Sequence, residues 1–202
     1  LRLIAFALAV ACAAYVATTA RADENWFPFP VEVWEPPFDM ASPRRNTDYV
    51  PLEKAGRKWR ICVSIPHLKD AYWLAVNFAL ADEARRLGVA MEIFEAGGYD
   101  HQEKQIAQLE QCLAAKHDGF IISAISATAL NPLVDKLRDK GLPVVDLVNG
   151  MTSKRLSAKS LVNFGDMGAL TGKYIVDQNK GGGATRKVVW FPGPKGAAWV
   201  AA

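Results

Sequence analysis

From Trp59 onward the chain alternates two hydrophobic rhythms. Short continuous apolar runs read as buried strands, and stretches with apolar residues every three or four positions read as helices. The first strand is Trp59–Ile65, followed by the loop Pro66–Trp73 and a helix over about Tyr72–Leu87. Leu74, Phe78, Ala81 and Ala84 or Arg85 share one face of that helix, and Gly88 stops it. A second strand, Val89–Glu95, runs into Ala96-Gly97-Gly98-Tyr99. A helix over about His101–Lys116 follows, with Ile106, Leu109 and Leu113 as its stripe. Then come the strand Gly119–Ser123, a helix over about Ala129–Lys140 ending at Gly141, and the strand Leu142–Leu147. A short strand, Leu161–Phe164, leads into a helix over about Asp166–Asn179. Past the turn Gly181-Gly182-Gly183, Lys187–Phe191 reads as another strand and Lys195–Ala202 as the opening of a helix. Alternating units with continuous apolar strands predict an α/β fold, a parallel sheet with helices on both faces.

The segment before Trp59 differs. Residues 1–22 carry Arg2, an apolar run and the small-x-small site Ala20-Arg21-Ala22, the form of a signal peptide. The apolar run is too short for a membrane span. Residues 23–57 form a proline-rich arm, with Pro28, Pro30, Pro36, Pro37, Pro43 and Pro51 among Trp26, Phe27, Phe29, Trp34 and Phe38. Such a segment is expected to be extended, lying across the body or docking on a partner. Residues 58–180 read as an N-terminal ligand-binding lobe. Residues 181–202 read as the start of a second lobe, which implies that the sequence stops inside an element.

Half of the residues are hydrophobic and 22% are charged, ordinary for a globular protein. Without residues 1–22, 22 basic residues stand against 21 acidic ones, so nothing in the charge points to nucleic acid. Export to an oxidising compartment makes a bridge between Cys62 and Cys112 possible; two buried thiols are the alternative. No HExxH, CxxC, GxSxG or GxGxxG occurs, so no metal, nucleophile or dinucleotide site is expected, and neither an enzyme nor a cofactor.

Candidate chemistry lies at the carboxyl ends of the strands, where open parallel sheets bind ligands. Tyr72, Trp73, Tyr99 and Phe164 all fall there. Singly each could be core packing; together they form a cage suited to a trialkylated nitrogen, since each ring face attracts a desolvated cation by ~0.5–2 kcal/mol. A phenol hydroxyl can donate to an oxide or carboxylate on the same ligand. Asp70 either favours the positive end of the ligand or caps the helix.

The motifs Pro66–Asn77 and Glu95-Ala96-Gly97-Gly98-Tyr99, with Cys62, Met167-Gly168, Gly172-Lys173-Tyr174 and Gly193-Pro194, resemble the type I periplasmic binding proteins that sense trimethylamine N-oxide. The resemblance covers roughly residues 58–199. It implies two α/β lobes closing on trimethylamine N-oxide or a related methylated amine, and signalling to the periplasmic domain of a sensor histidine kinase. It also implies that Tyr72 is the oxide donor and Trp73 a cage wall, with Tyr99 and Asp70 near the ligand. The chain departs from the pattern at Phe164, where the family has a tryptophan. The remaining cage residue is expected in the second lobe, beyond Ala202. The alternative reading is the solute-binding component of an ABC importer for a sugar or a quaternary amine.

Overall fold

A computed structural model describes residues 27–35, 38, 42–180, 185 and 187–200. The expected signal peptide, part of the arm and the expected Gly181–Gly183 turn lie outside the described residues.

Five parallel strands form the main sheet: β3 (Arg60–Ile65), β4 (Ala90–Glu95), β5 (Gly119–Ile122), β6 (Val144–Val148) and β7 (Ala158–Leu161), in the order β4-β3-β5-β6-β7. The helices are α1 (Ala71–Leu87), α2 (Gln102–Ala114), α3 (Asn131–Asp139) and α4 (Phe164–Asp177). Alternation along the strands sorts the core onto two faces. Cys62, Phe120, Ile122 and Val144 pack with Leu109 and Cys112 of α2 and Leu133, Val134 and Leu137 of α3. Val63 and Ile65 pack on the other face with Trp73, Val76 and Leu80 of α1. The expected parallel α/β sheet with helices on both faces is the one found.

Four local expectations change. The core-facing stripe of α1 is Trp73, Val76, Leu80 and Ala84; it keeps the predicted Ala84 but replaces Leu74, Phe78 and Ala81. Leu74 and Phe78 are 52% and 66% exposed. Asp70 explains the rotation: its carboxylate caps the helix by accepting from the Trp73 N–H at 3.0 Å, and Trp73 then turns inward. The left-handed Gly88 closes the same helix as anticipated.

The short strand falls at Ala158–Leu161, three residues earlier than predicted, because it pairs with β6 from Val145↔Ala158 to Val148↔Leu161. Phe164 therefore does not end a strand; it opens α4, with Asn163 as the cap accepting from the Asp166 N–H at 3.2 Å. Lys187–Phe191 is not a strand but irregular chain whose Val188, Val189, Trp190 and Phe191 are exposed. No strand among the described residues lies beside it to pair with. The helix expected from Lys195 is a 3-10 turn, Ala198–Val200, within the described residues.

Two described stretches of the proline-rich arm pair with each other. β1 (Phe29–Trp34) and β2 (Arg44–Tyr49) make an antiparallel ribbon of their own, which tolerates Pro30 because both strands are edges. Arg86 of α1 ties the following turn to the body, donating to the carbonyls of Leu52 and Glu53 at 2.7 and 3.2 Å.

Cys62 and Cys112 are joined, with Cα atoms 6.1 Å apart and both residues buried. The bridge closes a sequence separation of 50 residues and pins α2 to β3. Replacing both cysteines by alanine is expected to lower unfolding free energy by about 4 kcal/mol at most, from restored loop entropy, read as a shifted urea midpoint.

Candidate ligand-binding site

Each parallel strand delivers its loop to the same edge of the sheet, so residues distant in sequence meet there. After β3, the Pro66–Asp70 loop carries His67 and leads into Tyr72 and Trp73. After β4, Gly98 donates its N–H to the Pro66 carbonyl at 2.9 Å, which sets the two loops side by side. The rings then form one connected chain of contacts. Tyr72 meets Trp73 at 5.4 Å between centroids, His67 meets Trp73 at 6.1 Å, and His67 meets Tyr99 at 5.6 Å, all edge to face. Tyr99 continues to Trp199 at 5.9 Å, and Trp199 to Phe164 at 6.3 Å.

All four ring residues picked from the sequence are in this chain, but Tyr99 and Phe164 join it only through residues not singled out. Trp73 is 4% exposed and belongs to the core beneath α1, whereas Tyr72 is 48% exposed. Trp73 is thus as much core as wall. Asp70 is the helix cap; its second oxygen lies 3.9 Å from His67 Nδ1. The sequence reading missed His67, Trp199 and Asn149. His67 carries no metal-ligand spacing that would single it out, and Trp199 is brought in by a turn that no periodicity marks.

Both phenols have a pKa raised above the ordinary tyrosine value. Burial raises Tyr72 first, and the nearby Tyr99 adds to it. Burial likewise raises Tyr99, against the pull of its hydrogen bond with Asn149. Asn149 Nδ2 donates to the Tyr99 hydroxyl at 3.1 Å and to the Ala124 carbonyl at 2.8 Å. The Tyr99 proton has only a long 3.4 Å contact to Asn149 Oδ1, so it is weakly held and available to an acceptor.

Asn149 is itself held from below. Val148 adopts φ 65°, a left-handed conformation costly for a β-branched residue, and this breaks the alternation of β6 just before Asn149. The turn is pinned at Met151: Asp146 accepts from its N–H at 2.7 Å, and Lys159 donates to its carbonyl at 2.6 Å. Asp146 and Lys159 are both buried and lie 3.8 Å apart. Burial pushes the Asp146 carboxyl up from 3.8 to about 6, against the Met151 N–H, Lys159 and the Gly150 N–H. Among the described residues no group of three His, Cys, Asp or Glu side chains is placed to hold a metal ion.

A family profile described as periplasmic binding protein domain matches residues 61–198. The chain belongs to the periplasmic binding protein family. The periplasmic protein TorT of Escherichia coli K12 is 35% identical over 144 residues, 71% of this chain and 41% of TorT. The chain therefore spans about two fifths of the length of that curated relative. A solved ABC transporter solute-binding protein from Bradyrhizobium sp. BTAi1, with bound bis-tris, is 48% identical over 87% of this chain and 53% of that protein, with a TM-score of 0.74. A solved complex of TorT with the TorS sensor domain, without ligand, matches at 31% identity over 58% of this chain and 41% of that one, TM-score 0.52. The matched region of this periplasmic family is a binding module and not an enzyme. No helix among the described residues is long and apolar enough to cross a membrane.

Asp146 binds its proton more tightly folded than unfolded. Its contribution to stability is complete below pH 3.8 and is lost as pH rises through about 6. Urea unfolding at several pH values is expected to show a flatter pH dependence across this window in Asp146→Asn than in the wild type. Equal slopes in the two proteins would contradict the buried, proton-retaining carboxyl.

Proposed function

We propose that this chain is the ligand-binding lobe of a periplasmic sensor for trimethylamine N-oxide or a related methylated amine. Its ligand state is passed to the periplasmic domain of a sensor histidine kinase of the TorS kind, which controls respiration with trimethylamine N-oxide. One observation carries the ligand class: two phenols lie in a contiguous set of rings at the carboxyl edge of the sheet. Rings favour a desolvated alkylated cation, and a phenol proton suits an oxide. The identity to TorT, and the existence of a TorT–TorS sensor complex, support the kinase partner. Tyr72 is the oxide donor in this reading, and Trp73, Tyr99 and Phe164 are walls, with Asp70 shaping the loop. Residues 58–180 act as the first lobe and residues 181–202 open a second, which closes on the ligand.

A second reading is the solute-binding component of an ABC importer for a sugar or quaternary amine. The 48% identity to an ABC transporter solute-binding protein supports it. The bis-tris bound by that protein is a tertiary amine carrying hydroxyls, which keeps an alkylated nitrogen in view under either role.

Calorimetry with the intact protein separates the ligand classes. Binding of trimethylamine N-oxide is expected, and Tyr72→Phe is expected to weaken it about tenfold while leaving the fold intact, since the residue is 48% exposed. A sugar that binds while methylated amines give no heat would reject the reading. Phe164→Trp is expected to tighten methylated-amine binding severalfold, because indole is the better cation–π face.

A further inference from the structure

Trp199 reaches the ring cluster from the segment that follows α4, and three contacts seat it there. The Ala127 N–H donates to the Gly196 carbonyl at 3.0 Å, which ties the segment to the loop after β5. A Cβ at Gly150 would meet the Ala198 Cβ at 3.1 Å, so this glycine lets the segment approach the loop after β6 closely. A Cβ at Gly193 would lie 2.6 Å from the indole Cη2, so only glycine lets the ring lie against that turn. The indole then packs between Tyr99 and Phe164.

The placement leaves one polar group unexplained. Trp199 Nε1 is buried and reaches no acceptor in hydrogen-bond geometry. Buried indole N–H groups usually have a partner, and leaving one unmade is costly. The N–H is nevertheless close enough to the Tyr99 hydroxyl to favour that group's ionised form. The Tyr99 proton, as described above, is only weakly held. Two donors, one phenolic and one indolic, are therefore adjacent, and neither is fully used.

Resting on the function proposed above, we infer that Trp199 is a specificity residue. Its indole N–H and the Tyr99 hydroxyl together seat the acceptor oxygen of the ligand, so the site selects an amine oxide over a quaternary ammonium of the same shape. Trimethylamine N-oxide offers such an oxygen; tetramethylammonium offers the same methylated cation without one. The rings serve both ligands, and the two donors serve only the first.

The test compares the two ligands by calorimetry in the intact protein, wild type and Trp199→Phe. The variant keeps an aromatic ring and loses the N–H. It is expected to weaken both ligands severalfold through the poorer ring, and to weaken trimethylamine N-oxide about tenfold more than tetramethylammonium. Unchanged affinity for the oxide, or an equal loss for both ligands, would overturn the inference while leaving the proposed function standing. Wild-type protein that binds neither ligand would overturn both. A measurement on wild type alone guards against a misfolded variant: with 15N-tryptophan labelling, one indole N–H resonance is expected to move downfield with trimethylamine N-oxide and not with tetramethylammonium. If no indole resonance responds to bound oxide in this way, the donor role is excluded.

Discussion

The complete burial of Cys62, Val63, Ser64 and Ile65, the last four residues of β3, is the constraint on which the rest depends. They have no exposed surface, because β4 and β5 flank the strand and helices cover both of its faces. A strand in that position must be continuous in apolar character and must have parallel neighbours on each side. Parallel pairing in turn sends the end of every strand to one edge. The loop after β3, and the aromatic residues that follow it, can be nowhere else. The disulfide adds a covalent tie from this same strand to α2, so the element that follows the Gly97-Gly98 loop cannot drift from the sheet.

The loops at that edge are held by buried polar side chains as well as by apolar packing of Ala124, Leu130, Met151 and Leu156. Gln105 of α2 donates to the Ser123 carbonyl and accepts from the Ile125 N–H, both at 3.0 Å, and so fixes the loop after β5. Asn149 bridges Tyr99 and Ala124, and Asp146 with Lys159 grips both polar groups of Met151. Burying such groups costs free energy unless they are bonded, and their bonds go to loop backbone. The strained Val148 is tolerated where two of these supports converge. A ring cluster mounted on loops thereby acquires a definite geometry.

The chain beyond β7 behaves differently from the body. No residue of α4 is buried, and Met167, Leu170, Tyr174 and Val176 are exposed along it. Val188 to Phe191 are exposed as well. Contact with the body returns at Gly196 to Trp199. The part of the chain that departs from the sheet is therefore also the part that sends a ring back to the candidate site.

Much of this was legible without coordinates. Continuous apolar strands alternating with periodic helices determine a covered parallel sheet, since no other arrangement buries such strands on both faces. Tyr72, Trp73 and Tyr99 were assignable to the strand ends for the same reason. What the sequence left open was decided by contacts between distant residues. The core face of α1 differs from the predicted one because the Asp70 cap and the inward Trp73 outweighed the Leu74–Phe78 stripe. The last predicted strand did not form because a strand exists only beside a partner. The pairing of Cys62 with Cys112 was one of two options until the packing of α2 on β3 brought their Cα atoms within bonding range. Trp199 and Asn149 carry no local signal at all: periodicity reports which face a residue shares with its neighbours in sequence, and only folding brings a turn near the end of the chain onto a tyrosine of the second loop.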